Sequence, residues 1–436
     1  MQYLKPAILV CLLTILAYTA FSQPTLTVNQ QRIEQRIFEL AKFGKDSIGR
    51  GYRVAYTKGD IEGRNWFIDL LKKAGLEVSI DYAGNIVGKR KGKNPLLQPI
   101  AFGSHIDMVP DGGNYDGCFG SISALEIIEV LNEKSIVTEH PLEVIIFSNE
   151  EGGTVGSKAM SSGLSKERLQ QISQSGLTIA EGISRIGGNP ENIDDNIQKN
   201  GAFKAFLELH IEQGGILAKE NTEIGVVEGI VGIKRWEVTV AGFANHAGST
   251  SMDMRQDALL AASKFVVAVN EVITSVKGSQ VGTVGKLEVE PGAYNVIPGK
   301  VVLGLEIRDL SAEKIDQLFT EIKKRAAAIA AISKTTISFE LQANPSKPAL
   351  TDKTLQQLIN KTATALGFST KFMQSGAGHD AQQMALLAPA GMIFIPSAGG
   401  ISHSPKEFST AADMANGANV LLQTILTLDK EQAASK

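Results

Sequence analysis

Cysteine is almost missing from this 436-residue chain, which holds only Cys11 and Cys118. Two thiols exclude a disulfide scaffold and a thiolate-rich zinc site. An excess of one charge is missing too: 43 Lys and Arg face 46 Asp and Glu, a net charge of -3. No field of one sign points to nucleic acid or anionic lipid as the main partner. No internal repeat is found. Hydrophobic residues at 43% and charged residues at 20% are the proportions of a chain that buries a core, which excludes disorder and coiled coil. What is abundant is glycine, with 43 residues against an average of about 7%, so many tight loops are predicted. At about 150 residues per domain the length favours two or three domains.

Residues 1–22 read as an export signal. Lys5 precedes an uncharged apolar run from Ala7 to Phe21, and the small residues Ala20 and Ser22 suit cleavage before Gln23. The run is shorter than the roughly 20 residues of a membrane span, so no stable membrane anchor is expected. Cys11 lies mid-run, the wrong place for an acylated new N-terminus. Cleavage would leave Cys118 as the single cysteine of an exported protein, periplasmic or secreted.

From Ile33 to about Gly75 apolar residues recur at helical spacing. Four short apolar runs then end in polar, Gly-rich loops, as buried parallel strands do: Pro99 to Gly103, Leu142 to Phe147, Ala205 to Leu209 and Met392 to Ile395. Ser121 to Asn132 forms a crossover helix between the first two, which predicts an α/β, mostly parallel sheet. Near Gly215 the rhythm changes. Strands at Arg235–Val240, Val281–Val289, Val301–Ile307 and Thr335–Leu341 alternate with helices at Met252–Val276 and Ala312–Ile332. This β-α-β-β-α-β order is the ferredoxin-like arrangement. The expectation is a metal-binding domain of residues 23–214 and 344–436, with residues 215–343 inserted as a second, α+β domain.

Each of the four runs is followed within a few residues by a candidate metal ligand. These are His105 after the first, Glu151 after the second, His210 after the third and His403 after the fourth. Asp116 follows His105 through a Gly-rich loop. In open α/β sheets ligands bind outside the carboxyl ends of the strands, so these groups are expected in one crevice. Imidazole and carboxylate without thiolate suit zinc, manganese or cobalt, and a carboxylate bridge suits two ions. The predicted arrangement has Asp116 bridging, His105 and His210 on one ion, and Glu151 and His403 on the other. Asp107, two residues beyond His105 on the same face of a continuing strand, is expected to fix the His105 tautomer. Glu150, left over beside Glu151, is the candidate general base toward an attacking water.

The motifs Gly103-Ser-His-Ile-Asp107, Tyr115-Asp-Gly117, Asn149-Glu-Glu-Gly152, Glu208-Leu-His-Ile-Glu-Gln-Gly214, Ser375-Gly-Ala-Gly-His-Asp380 and Ser402-His-Ser-Pro405 resemble the hydantoinase/carbamoylase family of amidases. That family belongs to a wider superfamily of di-zinc exopeptidases and aminoacylases. The resemblance covers nearly all of the chain after the signal. It implies a di-zinc hydrolase domain, a lid and dimerisation domain as the insert, and a homodimer. It implies the same five ligands with Glu150 as base, and His246 as the group that polarises the scissile carbonyl. It also implies Asn295 and Arg308 as holders of the substrate carboxylate, Gln213 as a substrate contact, and His379 as a residue lining that site. The expected reaction is hydrolysis of a linear amide or ureido C–N bond, as in an N-carbamoyl amino acid or allantoate.

Two features depart from the family pattern. Cys118 stands where a small apolar residue is usual, and an export signal is unusual for enzymes of this kind. Export favours a second reading, an aminopeptidase or dipeptidase on the same fold, which His-Ile-Glu-Gln-Gly disfavours. A non-catalytic binding protein would have lost Glu150 or a ligand, and neither is lost.

Overall fold

Strands apolar on both faces must lie inside a sheet that is covered on both sides. The computed structural model describes residues 26–342 and 346–430. The expected signal at 1–22 and its cleavage point lie outside the described residues. In chain order the strands are β1 (Glu77–Ile80), β2 (Ile86–Arg90), β3 (Ile100–His105), β4 (Leu142–Phe147), β5 (Ala205–Ile211), β6 (Ile224–Ile230), β7 (Gly232–Ala241) and β8 (Asn245–His246). They continue with β9 (Val281–Glu290), β10 (Val296–Ile297), β11 (Lys300–Asp309), β12 (Thr336–Leu341), β13 (Ala349–Leu350), β14 (Thr370–Ser375) and β15 (Ala390–Ile395).

Nine of these form one sheet in the order β1-β2-β4-β3-β5-β15-β6-β13, with β14 beside β6. The four predicted apolar runs are its centre, β4, β3, β5 and β15, all mutually parallel and fully or almost fully buried. On one face the helices Gln30–Leu40, Cys118–Glu133 and Ala411–Lys430 share a core that includes Ile37, Leu125, Ile128, Leu421 and Ile425. Phe147, Phe206, Met384, Met392 and Phe394 fill the other. The single helical stretch expected up to Gly75 is two helices, Gln30–Leu40 and Lys58–Lys73.

The second sheet has the order β12-β7-β11-β9, antiparallel throughout. Helices Ala258–Ser275 and Ala312–Ser333 close a separate core around Trp236, Phe265, Leu303 and Ile322, with Trp236 stacked on Phe319 at 3.9 Å. The first of these helices starts at Ala258 rather than Met252 because the Asp257 carboxylate accepts the Leu259 and Leu260 N–H groups and caps it. The start expected at 215 also moves. β6 pairs with β15 and β14 and belongs to the large sheet, since Ile-Gly-Val-Val-Glu-Gly-Ile is buried almost throughout. The alternating pattern of a sheet with one open face begins only at β7.

The first helix is held by charge as well as by its apolar stripe. Glu126, fully buried on the helix Cys118–Glu133, accepts from Arg32 Nε at 2.5 Å, Arg32 Nη2 at 2.8 Å and the Asn29 N–H at 2.8 Å. Glu126→Ala removes these charge-assisted bonds, while Arg32 keeps Glu129 and Glu133. The substitution is therefore expected to lower unfolding free energy by about 2 kcal/mol in chemical denaturation. A change below about 0.5 kcal/mol would show that water replaces the carboxylate without loss.

Candidate active site

The carboxyl ends of the central strands bring the predicted ligands together. His105 is the last residue of β3 and His210 lies near the end of β5. Glu150 and Glu151 follow β4, and His403 follows β15. Asp116 stands at the centre. Its Oδ1 lies 3.1 Å from His210 Nε2 and 3.7 Å from His105 Nε2, and its Oδ2 lies 3.2 Å from His403 Nε2. His403 Nε2 is also 3.5 Å from Glu151 Oε2. Two donor groups, His105–Asp116–His210 and Asp116–Glu151–His403, thus share one carboxylate. Glu150 is buried beside them, with Oε2 at 3.6 Å from His105 Nε2.

Hydrogen bonds on the far side of each ring define what faces Asp116. His105 Nδ1 lies 3.1 Å from the Asp107 carbonyl and His210 Nδ1 lies 2.9 Å from the Ile211 carbonyl. A carbonyl can only accept, so each Nδ1 carries a proton and each Nε2 faces inward, that of His210 also meeting the Gly117 N–H at 3.1 Å. An Nε2 as near a carboxylate oxygen as those of His210 and His403, at 3.1 and 3.2 Å, calls for a proton or a metal ion between them. The Glu151 Oε1 atom is buried and has no hydrogen-bond partner, which again marks a donor set built for a cation.

Electrostatics agree. Burial works against both charged forms, yet the hydrogen bond and charge of Asp116 raise the His210 pKa to about 9, and hydrogen bonds with His210 and His403 hold the Asp116 carboxyl well below its usual value. His403 is raised to about 9, first by its hydrogen bond to Asp116. Burial, then the Asp116 charge, lifts Glu151 to about 8. Glu150 is raised well above the usual range by burial and by the carboxylates of Asp380, Glu151, Asp107 and Asp116. His105 is pushed down to about 4 by burial.

Backbone geometry explains part of the convergence. Gly117 has φ +62, and a Cβ there would lie 2.2 Å from His105 Nε2, so only glycine lets the Asp116 loop pass the ring. His403 itself has φ +53, a left-handed conformation unfavourable for histidine. Glu407, which the sequence reading missed, accepts the Tyr115 and Asp116 N–H groups at 2.9 and 3.0 Å and the Ser402 hydroxyl at 2.8 Å. It ties the Asp116 loop to the His403 loop. The only signal was its position four residues after His403.

Two expectations need correction. The Asp107 carboxylate does not take the His105 Nδ1 proton; the Asp107 carbonyl does, because β3 ends at His105 and the backbone beyond it is irregular. The carboxylate instead accepts the Glu150 and Glu151 N–H groups at 3.3 and 3.2 Å. His379 does not line an open site: it is buried, bonded to Ser375 Oγ at 2.7 Å, with its ring 4.5 Å from that of His210. Gln213 Nε2 donates to Asp116 Oδ2 at 2.7 Å, a contact with the central carboxylate. Cys118 joins no donor group; it is buried with Sγ 3.0 Å from Arg53 Nη2, and burial raises its thiol to about 11.

The residues expected from the second sheet stand apart from this cluster. His246 on β8 and Asn295 before β10 are exposed on one two-stranded ribbon, where the Ala247 N–H donates to the Asn295 carbonyl. Arg308, near the end of β11, reaches the loop after β14, where Nη1 donates to the Gly376 carbonyl at 2.6 Å.

Residues 101–427 match the model of the peptidase family M20/M25/M40. The chain belongs to this family. It is 37% identical to an N-carbamoyl-L-amino acid amidohydrolase of Geobacillus stearothermophilus over 92% of this chain and 99% of that protein. It is 38% identical to a ureidoglycolate hydrolase of Arabidopsis thaliana over 93% of this chain and 87% of that one. A crystal structure of an amidase of the hydantoinase/carbamoylase family from Burkholderia multivorans superposes with a TM-score of 0.87 at 35% identity, covering 94% of this chain and 100% of that one. The family resemblance read from the motifs is thus shown, and these relatives do not favour the peptidase alternative.

For an M20 protein the two donor groups around Asp116 fit a dinuclear metal centre. Without metal, His210 and His403, at about 9, and Glu151, at about 8, hold protons at neutral pH. A metal needs the unprotonated forms, so binding must expel those protons and strengthen as pH rises, levelling off above about pH 9. Zinc titration of chelator-treated protein at pH 7, by calorimetry in two buffers of different ionisation enthalpy, is expected to release more than one proton per chain. Zinc binding that is independent of pH between 6 and 9 would refute this assignment of proton positions.

Proposed function

We propose that this chain is a metal-dependent amidohydrolase that cleaves a linear amide or ureido C–N bond in a small carboxylate-bearing substrate, such as an N-carbamoyl amino acid or an allantoate-like compound. The observation that carries the reading is Asp116 shared by two donor groups, with the buried carboxylate of Glu150 beside them. Two divalent ions, zinc first and manganese or cobalt otherwise, would be held by His105 and His210, by Glu151 and His403, and by Asp116 between them. When bound, such ions lower the pKa of water and polarise a carbonyl.

Glu150 takes the proton from the attacking water and returns it to the leaving nitrogen as the C–O bond forms and the C–N bond breaks. Burial and the neighbouring carboxylates raise its pKa, which makes it a stronger proton acceptor than an exposed glutamate. His246 Nδ1 accepts from the Gly248 and Ser249 N–H groups at 3.0 and 3.1 Å. The ring proton is therefore on Nε2, which supports its assignment as a donor to the oxygen of the scissile carbonyl. Arg308 and Asn295 would hold the substrate carboxylate, since an Arg fork binds it by two parallel hydrogen bonds. A ureido acid then yields its amine, ammonia and carbon dioxide.

The second sheet with its helices serves as lid and homodimerisation domain in this reading. Support comes from β9, an outer strand with Val281 and Leu287 exposed, and from an apolar groove between the two helices lined by Val267, Ala268, Ile329 and Ile332. The exposed ribbon of His246 and Asn295 is free to complete a partner's site. Export of the mature chain is part of the proposal; it rests on the uncharged apolar run from Ala7 to Phe21 and on the small residues Ala20 and Ser22 before Gln23.

Glu150→Gln is expected to retain metal while losing about 10² to 10⁴-fold in rate on whichever compound of a panel (N-carbamoyl-L-amino acids, N-carbamoyl-β-alanine, allantoate, dipeptides) the wild type hydrolyses. Cleavage of dipeptides with no ammonia from any ureido acid would overturn the substrate class. Co-assembled Glu150→Gln and His246→Ala subunits are expected to recover up to about a quarter of wild-type activity, from the one complete site in each mixed pair. If no activity returns, the site is built within one chain.

A further inference from the structure

An arginine that recognises a carboxylate is useful only when its guanidinium is aimed, because five N–H donors on a flexible stem otherwise sample many orientations. Arg308 is aimed from two directions. β11 puts Glu306 and Arg308 two residues apart on one face, and Arg308 Nε donates to Glu306 Oε1 at 2.6 Å. From the other side Nη1 donates to the Gly376 carbonyl at 2.6 Å. Two of the three nitrogens are thereby held, and among the described residues Nη2 has no hydrogen-bond partner. With Nε occupied, a side-on approach through Nε and Nη2 is closed. Nη1 keeps a second N–H beside the one given to Gly376 and Nη2 keeps both of its own, so the end-on donors remain for an anion.

Glu306 is itself held. Its cross-strand neighbour on β7 is Arg235, whose Nε donates to Glu306 Oε2 at 2.6 Å. One carboxylate oxygen serves each arginine, and the three charges sum to one positive charge. Arg235 thus offsets the repulsion that Glu306 would exert on an incoming anion. Glu306 and Arg308 are both about a quarter exposed, 24% and 27% for their side chains, so the charge of Glu306 is partly screened by solvent and its steric and hydrogen-bonding hold on Nε is the larger effect.

We infer that Glu306 is a specificity-determining positioning residue: it fixes Arg308 so that the end-on edge of the guanidinium selects substrates bearing a carboxylate. The inference rests on the reading of Arg308 as the carboxylate holder. Glu306 touches neither the scissile bond nor the donor groups around Asp116, so its effect falls on binding of the carboxylate rather than on the chemical step.

The test compares N-carbamoyl-L-alanine with its primary amide, or the corresponding acid and amide of whichever panel compound is hydrolysed fastest, using the metal-loaded full chain. Wild type is expected to favour the acid in kcat/KM, and Arg308→Lys to lose that preference. Glu306→Ala is expected to raise KM for the acid about tenfold, with kcat and the kcat/KM of the amide within about twofold. Glu306→Gln, which keeps an acceptor for Arg308 Nε, is expected to restore KM to within about threefold of wild type. If wild type does not prefer the acid, the Arg308 reading fails and this inference falls with it. Where wild type does prefer the acid, an unchanged KM in Glu306→Ala overturns the inference alone. Equal losses on acid and amide would make Glu306 a structural residue. A lower KM in both Glu306 variants would show that its charge, and not its hold on Nε, governs binding.

Discussion

A single carboxylate wedged between two sets of donors is the constraint on which the rest of the structure depends. Asp116 is buried, and a buried carboxylate is strongly disfavoured unless both oxygens face positive charge or hydrogen-bond donors. Three segments meet that requirement from different places in the chain: His105 at the end of β3, His210 and Gln213 at and after the end of β5, and Ser402 and His403 in the loop after β15, while the turn after β4 adds further carboxylates. Each must arrive in register. A one-residue slip in a strand would turn His105 or His210 to the opposite face of the sheet. The apolar core on both sides of β3 and β5 holds that register, so packing energy maintains a cluster of like-charged groups that would otherwise separate.

The two donor sets differ in rigidity. His105 and His210 belong to strands and are fully buried, with both rings locked by backbone carbonyls. Glu151 and His403 sit on loops, and the His403 side chain is 50% exposed. Its left-handed backbone is kept in place by the neighbouring Ser402, whose hydroxyl bonds both Glu407 and Asp116. The inner half of the site is therefore part of the sheet, while the outer half depends on a hydrogen-bonded strap across the sheet's edge.

Much of this was legible in the sequence where burial and chemistry coincide. Apolar runs that stop abruptly at His105 or at Glu150 announce buried strands with reactive ends, and the β-α-β-β-α-β order of the insert was readable from its two periodicities. The failures share a physical origin. Asp107 was assigned by assuming that a strand continues, whereas the ladder ends at His105 and the irregular backbone beyond it exchanges the roles of carbonyl and carboxylate. His379 sits in a Gly-rich loop that reads as exposed, but the ring packs behind His210. Glu407, after Ser-Pro-Lys, was passed over, and one of its partners lies 291 residues away on the backbone of Asp116. Backbone N–H groups leave no trace in residue identity, so a carboxylate that binds them cannot be distinguished from a surface one by sequence pattern.

The contacts made by the segment before the first described helix bear on how the chain reaches this state. The Val28 N–H donates to Asn419 and the Leu26 carbonyl accepts from Gln423, both on the helix Ala411–Lys430. The first of these joins residues 391 positions apart. The large domain therefore cannot close around its core until nearly the whole polypeptide, including the independently cored insert, has been delivered. Long-range closure of this kind slows folding and prolongs the exposure of apolar strands.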